Sequence, residues 1–205
     1  VYDLSGSGVT GTITGNNGFD AEYNAWVFDG SGDYISGTLS NPAGDWVHSV
    51  SCWVSATELS STKARFITHY GVEALRQQVI LSLTPGRVRV DFNSDSIYKD
   101  VSPFVLNTWY HIAFTYSGGG TSNVKIYING VDVGVSGGGT TALNIASGRT
   151  LYVGKELNLA YNDPWKGSIA NFRLFGGKVL NADQVRELYE YDAPRFGHRQ
   201  NLVSL

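Results

Sequence analysis

Two stretches of the sequence carry side-chain oxygens at spacings that suit a calcium ion, DFNSD and ELNLAYNDPW. Their Asp and Asn residues are Asp91, Asn93, Asp95, Asn158, Asn162 and Asp163. Calcium takes about six to eight hard oxygen ligands from carboxylates, amides and backbone carbonyls. The first stretch is not an EF-hand loop, because Ser96 stands at the glycine position and no acid follows at the twelfth place. The alternative is that both stretches only form turns, for which Asp163-Pro164 is typical.

A second set of side chains could hold a sugar, which needs an exposed aromatic ring and planar hydrogen-bonding groups. Arg87 and Arg89 point from the outer face of a predicted strand. A guanidinium group can hold a sulfate or an anionic sugar through two parallel hydrogen bonds. Other rings lie at predicted strand ends or in loops and are freer to face a ligand: Tyr98, Tyr161, Tyr70, His69 and Trp46. The alternative for the arginines is that they keep an outer sheet face soluble.

His111 is the most suggestive residue for catalysis, but its surroundings argue against that role. It lies in a predicted buried strand and has no serine or cysteine nucleophile beside it in the sequence. The acids Glu187, Glu190 and Asp192 fall in a predicted helix and its end, where they form an ordinary solvated face. Cys52 stands alone in an apolar run, where a buried thiol is inert. We therefore expect a protein that is not an enzyme.

Composition argues against several classes of partner. The 205 residues carry a formal net charge of −3, whereas a nucleic-acid-binding protein would need a basic stripe. No apolar stretch approaches the ~20 residues of a spanning helix. We therefore expect neither a signal peptide nor direct membrane insertion. The chain does not begin with methionine. We expect it to be a mature or excised piece of a longer protein.

The candidate residues need a scaffold, and residues 107–134 predict its centre. Residues 109–116 are a continuous aromatic and β-branched run, and residues 124–128 alternate apolar and polar side chains, as in a strand with one buried face. Asn129-Gly130 predicts a type I′ hairpin turn, because that turn needs positive φ at both central residues. With 25 glycines and 13% aromatic residues, the composition also suits many strands joined by tight turns. These features predict an all-β, antiparallel two-sheet sandwich.

Other strands are predicted on both sides of this centre, about a dozen in all. Residues 25–28 and 34–35 flank Asp29-Gly30-Ser31-Gly32 and predict a further hairpin. Thr84-Pro85-Gly86-Arg87 predicts a type II turn, with proline and glycine at its central positions.

One short C-terminal helix is predicted. Asn181 can cap it, and Gln184 stands three residues later, as in a capping box. Its apolar stripe consists of Val185, Leu188 and Tyr189. Since no linker divides the sequence, we predict a single domain over residues 1–192, with residues 193–205 as a C-terminal tail or a linker to a following segment.

In this order, four segments resemble the motifs of a laminin-G-like (LamG) domain. They are AWVFDGSGDYI, VSCWV, NTWYHIAFTY with KIYINGVDVG, and WKGSIANFRLFGGKVLNADQVRELY. The chain thus resembles a laminin-G- or pentraxin-like jelly-roll domain of the concanavalin A-like lectin/glucanase superfamily over residues 26–189. The resemblance implies two curved antiparallel sheets stacked as a sandwich, with loops at one rim forming a binding edge. Members mostly bind glycans or protein partners, often through a calcium ion at that rim, and are rarely catalytic.

The resemblance also bears on individual residues. It favours the calcium ligands of residues 158–163, since that loop lies at the binding rim of LamG-like domains. Glucanases of this superfamily carry three acids at alternate positions of one strand, and no strand here repeats that pattern. The tryptophans that fall inside family strands are expected to be core residues: Trp26, Trp53, Trp109 and Trp165.

The first hypothesis is therefore a non-catalytic, lectin-like carbohydrate-binding module of a larger extracellular or particle-surface protein, with calcium as a candidate cofactor. Its partner would be a glycan or a glycoprotein. The second hypothesis is a protein-interaction or structural head domain of a viral or phage-like fibre or capsid protein. A glucanase or lyase is the third. All of them place the protein outside the cell or on the surface of a virion or cell.

Overall fold

Two antiparallel β-sheets form the protein in its computed structural model, which describes residues 9–39, 42–74, 76–92, 95–157 and 164–198. The strands are β1 Thr12–Thr14, β2 Gly18–Asp20, β3 Ala25–Asp29, β4 Tyr34–Leu39, β5 His48–Ala56, β6 Arg65–Gly71, β7 Gln78–Thr84, β8 Arg87–Asp91, β9 Ser96–Asp100, β10 Trp109–Tyr116, β11 Val124–Ile128, β12 Val131–Asp132, β13 Ser136–Gly137, β14 Arg149–Val153 and β15 Lys166–Gly176. One sheet has the order β1-β4-β14-β6-β7-β8-β9-β13, and the other β12-β11-β10-β5-β15-β3-β2. The predicted all-β sandwich is confirmed.

The centre of the seven-stranded sheet is the predicted three-strand unit β10–β11–β12. Asn129 and Gly130 have φ angles of 50° and 77°, so the type I′ prediction is confirmed. On its other side β10 pairs with β5 from Trp109 opposite Ser55 to Tyr116 opposite His48. The alternation then directs one set of side chains into the space between the sheets.

The main core lies between the two sheets. The seven-stranded sheet contributes alternate residues such as Val50, Cys52, Val54, Ile112, Phe114 and Ile126, all 0–1% exposed. The eight-stranded sheet contributes Ile67, Val79, Leu81, Leu83, Val88, Val90 and Ile97, all 0–2% exposed. Cys52 is a free buried thiol, as expected. Burial raises the pKa of this thiol to about 12, so the thiolate that reacts is not formed at neutral pH.

The predicted hairpin at residues 25–35 is wrong. β3 pairs with β2 and β15 in one sheet, whereas β4 pairs with β1 and β14 in the other. The turn between them carries the chain across the sandwich. The Asp33 carboxylate, which is buried, accepts hydrogen bonds from the Asp29 amide at 3.1 Å and the Asn16 amide at 2.8 Å. These bonds replace the ladder that a hairpin would have formed.

The C-terminal segment covers the outer face of the seven-stranded sheet. Helix α1 spans Ala182–Asp192, and Asn181 and Gln184 form the predicted capping box. Val185 packs with Ala113 of β10 and Tyr127 of β11. No helix in the described ranges is long and apolar enough to cross a membrane.

The chain continues past the helix along the same face. A short 3-10 helix, Ala193–Phe196, places the Phe196 ring 4.4 Å from the ring of Trp53. The described part of the predicted tail therefore packs on the sandwich. The domain boundary at residue 192 stays a prediction.

Candidate functional site

Three predicted ligand-binding residues meet on the outer face of the eight-stranded sheet. β7 and β8 are joined by Pro85-Gly86, with Thr84 opposite Arg87. Gly86 does not have the positive φ that a type II turn requires, so that prediction is wrong, although the hairpin itself forms.

The register of this hairpin sets the outer face. Arg89 lies opposite Ser82 of β7 and Tyr98 of β9, while its neighbours Val88 and Val90 enter the core. Alternation therefore directs Arg89 outward. We call Arg87, Arg89 and Tyr98 together the β8 surface.

Both arginines of the β8 surface are held by carboxylates. The Arg87 guanidinium lies 3.9 Å from the centroid of the Tyr98 ring, and its Nε donates to Asp100 Oδ1 at 2.6 Å. That hydrogen bond holds the pKa of Asp100 below its usual value. Arg89 forms an ion pair with Asp91. Each guanidinium group thus has a carboxylate partner and keeps other N–H donors for a ligand.

A pocket of about 210 Å³ lies beside the β8 surface. Its floor is the outer side of the β7–β8 hairpin, and its wall is the loop before β6. The lining residues are Ser61, Thr62, Lys63, Ala64, Ser82, Leu83, Thr84, Arg87 and Arg89. Hydroxyl groups and cations dominate this lining. The sequence signalled the two arginines, and the two-residue turn brings Ser82 opposite Arg89, but nothing in it signalled the distant loop.

Two of the carboxylates predicted to bind calcium, Asp91 and Asp95, form ion pairs. Asp91 pairs with Arg89, and Asp95 accepts from Arg76 Nη2 at 3.0 Å. Among the described residues no group of three or more acid, histidine or cysteine side chains could hold a metal ion. Asp91 and Asp95, as paired here, therefore do not fit a calcium site.

The other predicted calcium ligands are Asn158, Asn162 and Asp163. They lie outside the described residues, as do Asn93 and the predicted ligand-binding residue Tyr161. Calcium binding at that loop stays a prediction.

Tyr70 is a core residue and does not face solvent, contrary to expectation. It is fully buried, and its hydroxyl donates to His48 Nε2 at 2.5 Å. His48 Nδ1 in turn donates to the Trp46 carbonyl at 2.7 Å, and burial lowers the pKa of this histidine to about 4. Trp46, also expected to be free, stacks on the His48 ring at 4.9 Å. These groups form an internal polar network.

His69 is also buried, although it lies on the outer face, in the same row as Ile80 and Asp91. The Leu157 amide donates to His69 Nδ1 at 2.7 Å, so Nε2 carries the ring proton. Burial lowers the pKa of His69 to about 4. The loop after β14 thus covers the ring, and the expectation that it faces a ligand is corrected.

That loop brings a carboxyl group with an altered pKa to the same face. Burial, together with the nearby carboxylates of Glu73 and Asp91, raises the pKa of Glu156 to about 7. Its Oε2 is buried without a hydrogen-bond partner among the described residues. Sequence reasoning missed Glu156, because burial by a distant strand leaves no local signal.

Tyr34 and Tyr152 form a second aromatic pair, in the region of β4 and β14. Their rings are 5.7 Å apart, and the Lys155 ammonium lies 3.7 Å from the centroid of Tyr34 and 4.7 Å from that of Tyr152. Both rings thus have a cation on one face, as Tyr98 does.

His111 does have a serine beside it in space, although not in sequence. Ser51 lies across the β5–β10 ladder, and its Oγ is 2.8 Å from His111 Nε2. Both residues are fully buried beneath the C-terminal segment. A substrate cannot reach this pair in the described fold, so it is a core contact.

Comparisons with known proteins agree with the observed fold. A laminin G family model of the concanavalin A-like lectin/glucanases superfamily matches residues 29–186. The protein belongs to this superfamily. The resemblance inferred from the four sequence segments is thereby confirmed. A comparison with curated protein sequences finds no match.

Several solved structures share the fold of this superfamily member. The receptor binding domain of botulinum neurotoxin C/D mosaic serotype matches with a TM-score of 0.71 and 20% identity, over 96% of this chain and 51% of that one. Domain 4 of AbnA, an extracellular arabinanase from Geobacillus stearothermophilus, in complex with arabinotriose, matches with a TM-score of 0.62 and 23% identity, over 87% of each chain. The native heptameric SAP-like pentraxin from Limulus polyphemus matches with a TM-score of 0.55 and 17% identity, over 74% of this chain and 72% of that one.

At these identities the likeness shows the fold. The chain spans about half the length of the toxin domains it matches. By their names, these neighbours include a receptor-binding domain and a domain seen with a bound carbohydrate.

Proposed function

We propose that this superfamily member is a non-catalytic carbohydrate-binding module of an extracellular protein, with the β8 surface as its glycan contact. The observation that carries the proposal is the meeting of Arg87, Arg89 and Tyr98 on adjacent strands beside a hydroxyl-lined pocket. A tyrosine ring offers apolar area with a polar tip, and the guanidinium groups offer planar donors. A sugar has a C–H face that can pack on the ring and oxygen atoms that can accept from the guanidinium groups.

The position of the three residues on strands favours binding. All three residues stand on strands whose alternate side chains are in the core, and carboxylates hold both arginines. A site held in its bound geometry loses little entropy when a ligand arrives. The bound arabinotriose of the AbnA domain supports this proposal by likeness of fold.

Calcium stays a candidate cofactor through the predicted ligands at residues 158–163. A calcium ion there would order carboxylate and amide oxygens near a ligand. Because Asp91 and Asp95 are paired with arginines, we expect binding at the β8 surface itself to survive removal of calcium.

The test is a glycan array probed with the wild-type chain and with two matched variants, each in calcium and in chelator. Tyr98→Ala removes the ring of the β8 surface. Tyr191→Ala is the control, since Tyr191 is 84% exposed on α1, which covers the other sheet. We expect glycan binding by the wild type and the control, and at least about a tenfold loss for Tyr98→Ala, on the scale of an aromatic contact.

Each outcome separates the candidate functions. If no glycan on the array binds, the carbohydrate-binding proposal is contradicted, and the protein-interaction or fibre-head role is favoured. Loss of all binding in chelator would make the loop at residues 158–163 the main contact. Release of reducing ends from the bound glycans would overturn the non-catalytic role.

A further inference from the structure

The pocket beside the β8 surface has a lining with a marked chemical bias. Four of its side chains are hydroxyls and three are cations, while no acid contributes to the lining. The cations are Arg87, Arg89 and Lys63. The hydroxyls can donate or accept, as a neutral sugar requires, whereas the three cations can only donate and favour an anion.

The carboxylates near the arginines position them without filling their donor capacity. Asp100 accepts a hydrogen bond from Arg87 Nε, and Asp91 accepts one from Arg89 Nη2. Each guanidinium group carries five N–H donors, so several remain on each arginine. The side chains of Arg87 and Arg89 are 41% and 45% exposed, so these donors can be reached from solvent.

The floor of the pocket strengthens an interaction with an anion. Ser82 is only 2% exposed, and the adjacent Leu83 is equally buried. Burial of the floor lowers the local dielectric constant, and charge–charge attraction is stronger there than in open water. The whole chain has a formal net charge of −3, so this basic pocket is a local exception on an acidic protein.

From this lining we infer that the pocket takes an anionic group of the glycan, a sulfate ester or a uronate carboxylate. This inference rests on the proposed function and specifies the ligand class of that site. The arginines would grip the anion with charge-assisted hydrogen bonds, with the Ser82 hydroxyl beneath. Tyr98 would contact the adjoining sugar ring.

Polymers that share a backbone and differ in charge test the inference. Dissociation constants are measured for dextran sulfate, for carboxymethyl dextran, which carries carboxylates without sulfates, and for uncharged dextran. The variants are Arg89→Gln and Arg87→Gln. The control is Arg186→Gln. Arg186 is also an exposed arginine paired with carboxylates, but it lies on α1, which packs on the seven-stranded sheet away from the pocket. Thermal unfolding checks that each variant is folded.

We expect dextran sulfate to bind at least about tenfold more tightly than dextran, with weaker binding in high salt. Arg89→Gln and Arg87→Gln should each lose about tenfold or more of that affinity, and Arg186→Gln should match wild type. If carboxymethyl dextran binds as well, a carboxylate is sufficient. If only dextran sulfate binds, the pocket requires a sulfate. Either result upholds the inference.

Two results would overturn it. In the first, neutral glycans bind well, dextran sulfate binds no more tightly than dextran, and both pocket variants behave like Arg186→Gln. The ligand is then not anionic, and the proposed function holds without this inference. If no glycan of any charge binds, the proposed function fails together with this inference.

Discussion

At the scale of single residues, Glu156 is the group whose charge the fold disfavours. Its pKa is raised to about 7 by burial and by neighbouring carboxylates, against an ordinary value of 4.5. The folded state therefore holds this proton more tightly than the unfolded state, and stability falls as pH rises from about 4.5 to 7. The group is only half-buried, so solvent screening reduces the effect.

Glu156→Gln should remove this cost. We expect a gain of about 1 kcal/mol in the free energy of unfolding at pH 8, below the full linkage value because of that screening. The gain should vanish below about pH 4.5, where the carboxyl is protonated in both states. Urea unfolding at both pH values measures it, with the exposed Glu187→Gln as control. An equal effect at both pH values would mean that the variant changes packing and not titration.

The residues of the site show where sequence reasoning works and where it stops. Alternation in β8 correctly assigned Arg87 and Arg89 to the outer face, since the strand is regular from one end to the other. In β6 a register shift between Phe66 and Thr68 breaks the alternation, and His69 is covered by the loop after β14. A bulge and a distant cover depend on tertiary packing, which single-strand patterns do not contain.

At the scale of elements, helix α1 offers the most direct test of a prediction from sequence. The Gln184 amide donates to Asn181 Oδ1 at 2.9 Å, and the Asn181 amide donates to Gln184 Oε1 at 3.1 Å. Asn181→Ala leaves the Gln184 amide without its side-chain acceptor, whereas the amide of residue 181 can still donate to Gln184 Oε1, and the change should cost about 1 kcal/mol. Glu187→Ala, in the same exposed helix, should change stability far less. The melting temperatures of the two variants measure the difference, and equal values would refute the role of the cap.

Two glycine-containing turns were both predicted to close hairpins, but only one of them does. Asn129-Gly130 predicts its hairpin correctly because the turn type itself fixes the pairing of its flanking strands. Asp29-Gly30-Ser31-Gly32 is equally good turn chemistry, yet its flanks belong to different sheets. Turn residues specify a change of direction, and partner strands decide whether that change closes a hairpin or crosses the sandwich. The sequence distance from β3 to β15 explains why this crossing was missed.

At the scale of the whole molecule, three buried histidines make the stability of the sandwich depend on pH. His48 lies between the sheets, His69 on the outer side of one sheet and His111 on the outer side of the other. Burial lowers the pKa of each to about 4 from 6.5. Their neutral forms stabilise the fold fully above pH 6.5, and this contribution is lost as pH falls toward 4.

We therefore expect the free energy of unfolding of the whole sandwich to fall in acid. At pH 4.5 each histidine should cost about 2 kcal/mol relative to pH 7, which is large against a total stability of about 5–15 kcal/mol. Glu156 acts in the opposite direction over part of this range, so the Glu156→Gln background isolates the histidine effect. We expect its urea midpoint to fall steeply between pH 6.5 and 4.5. A flat midpoint, or imidazole NMR signals that titrate near pH 6.5, would show that these rings are not held neutral by the fold.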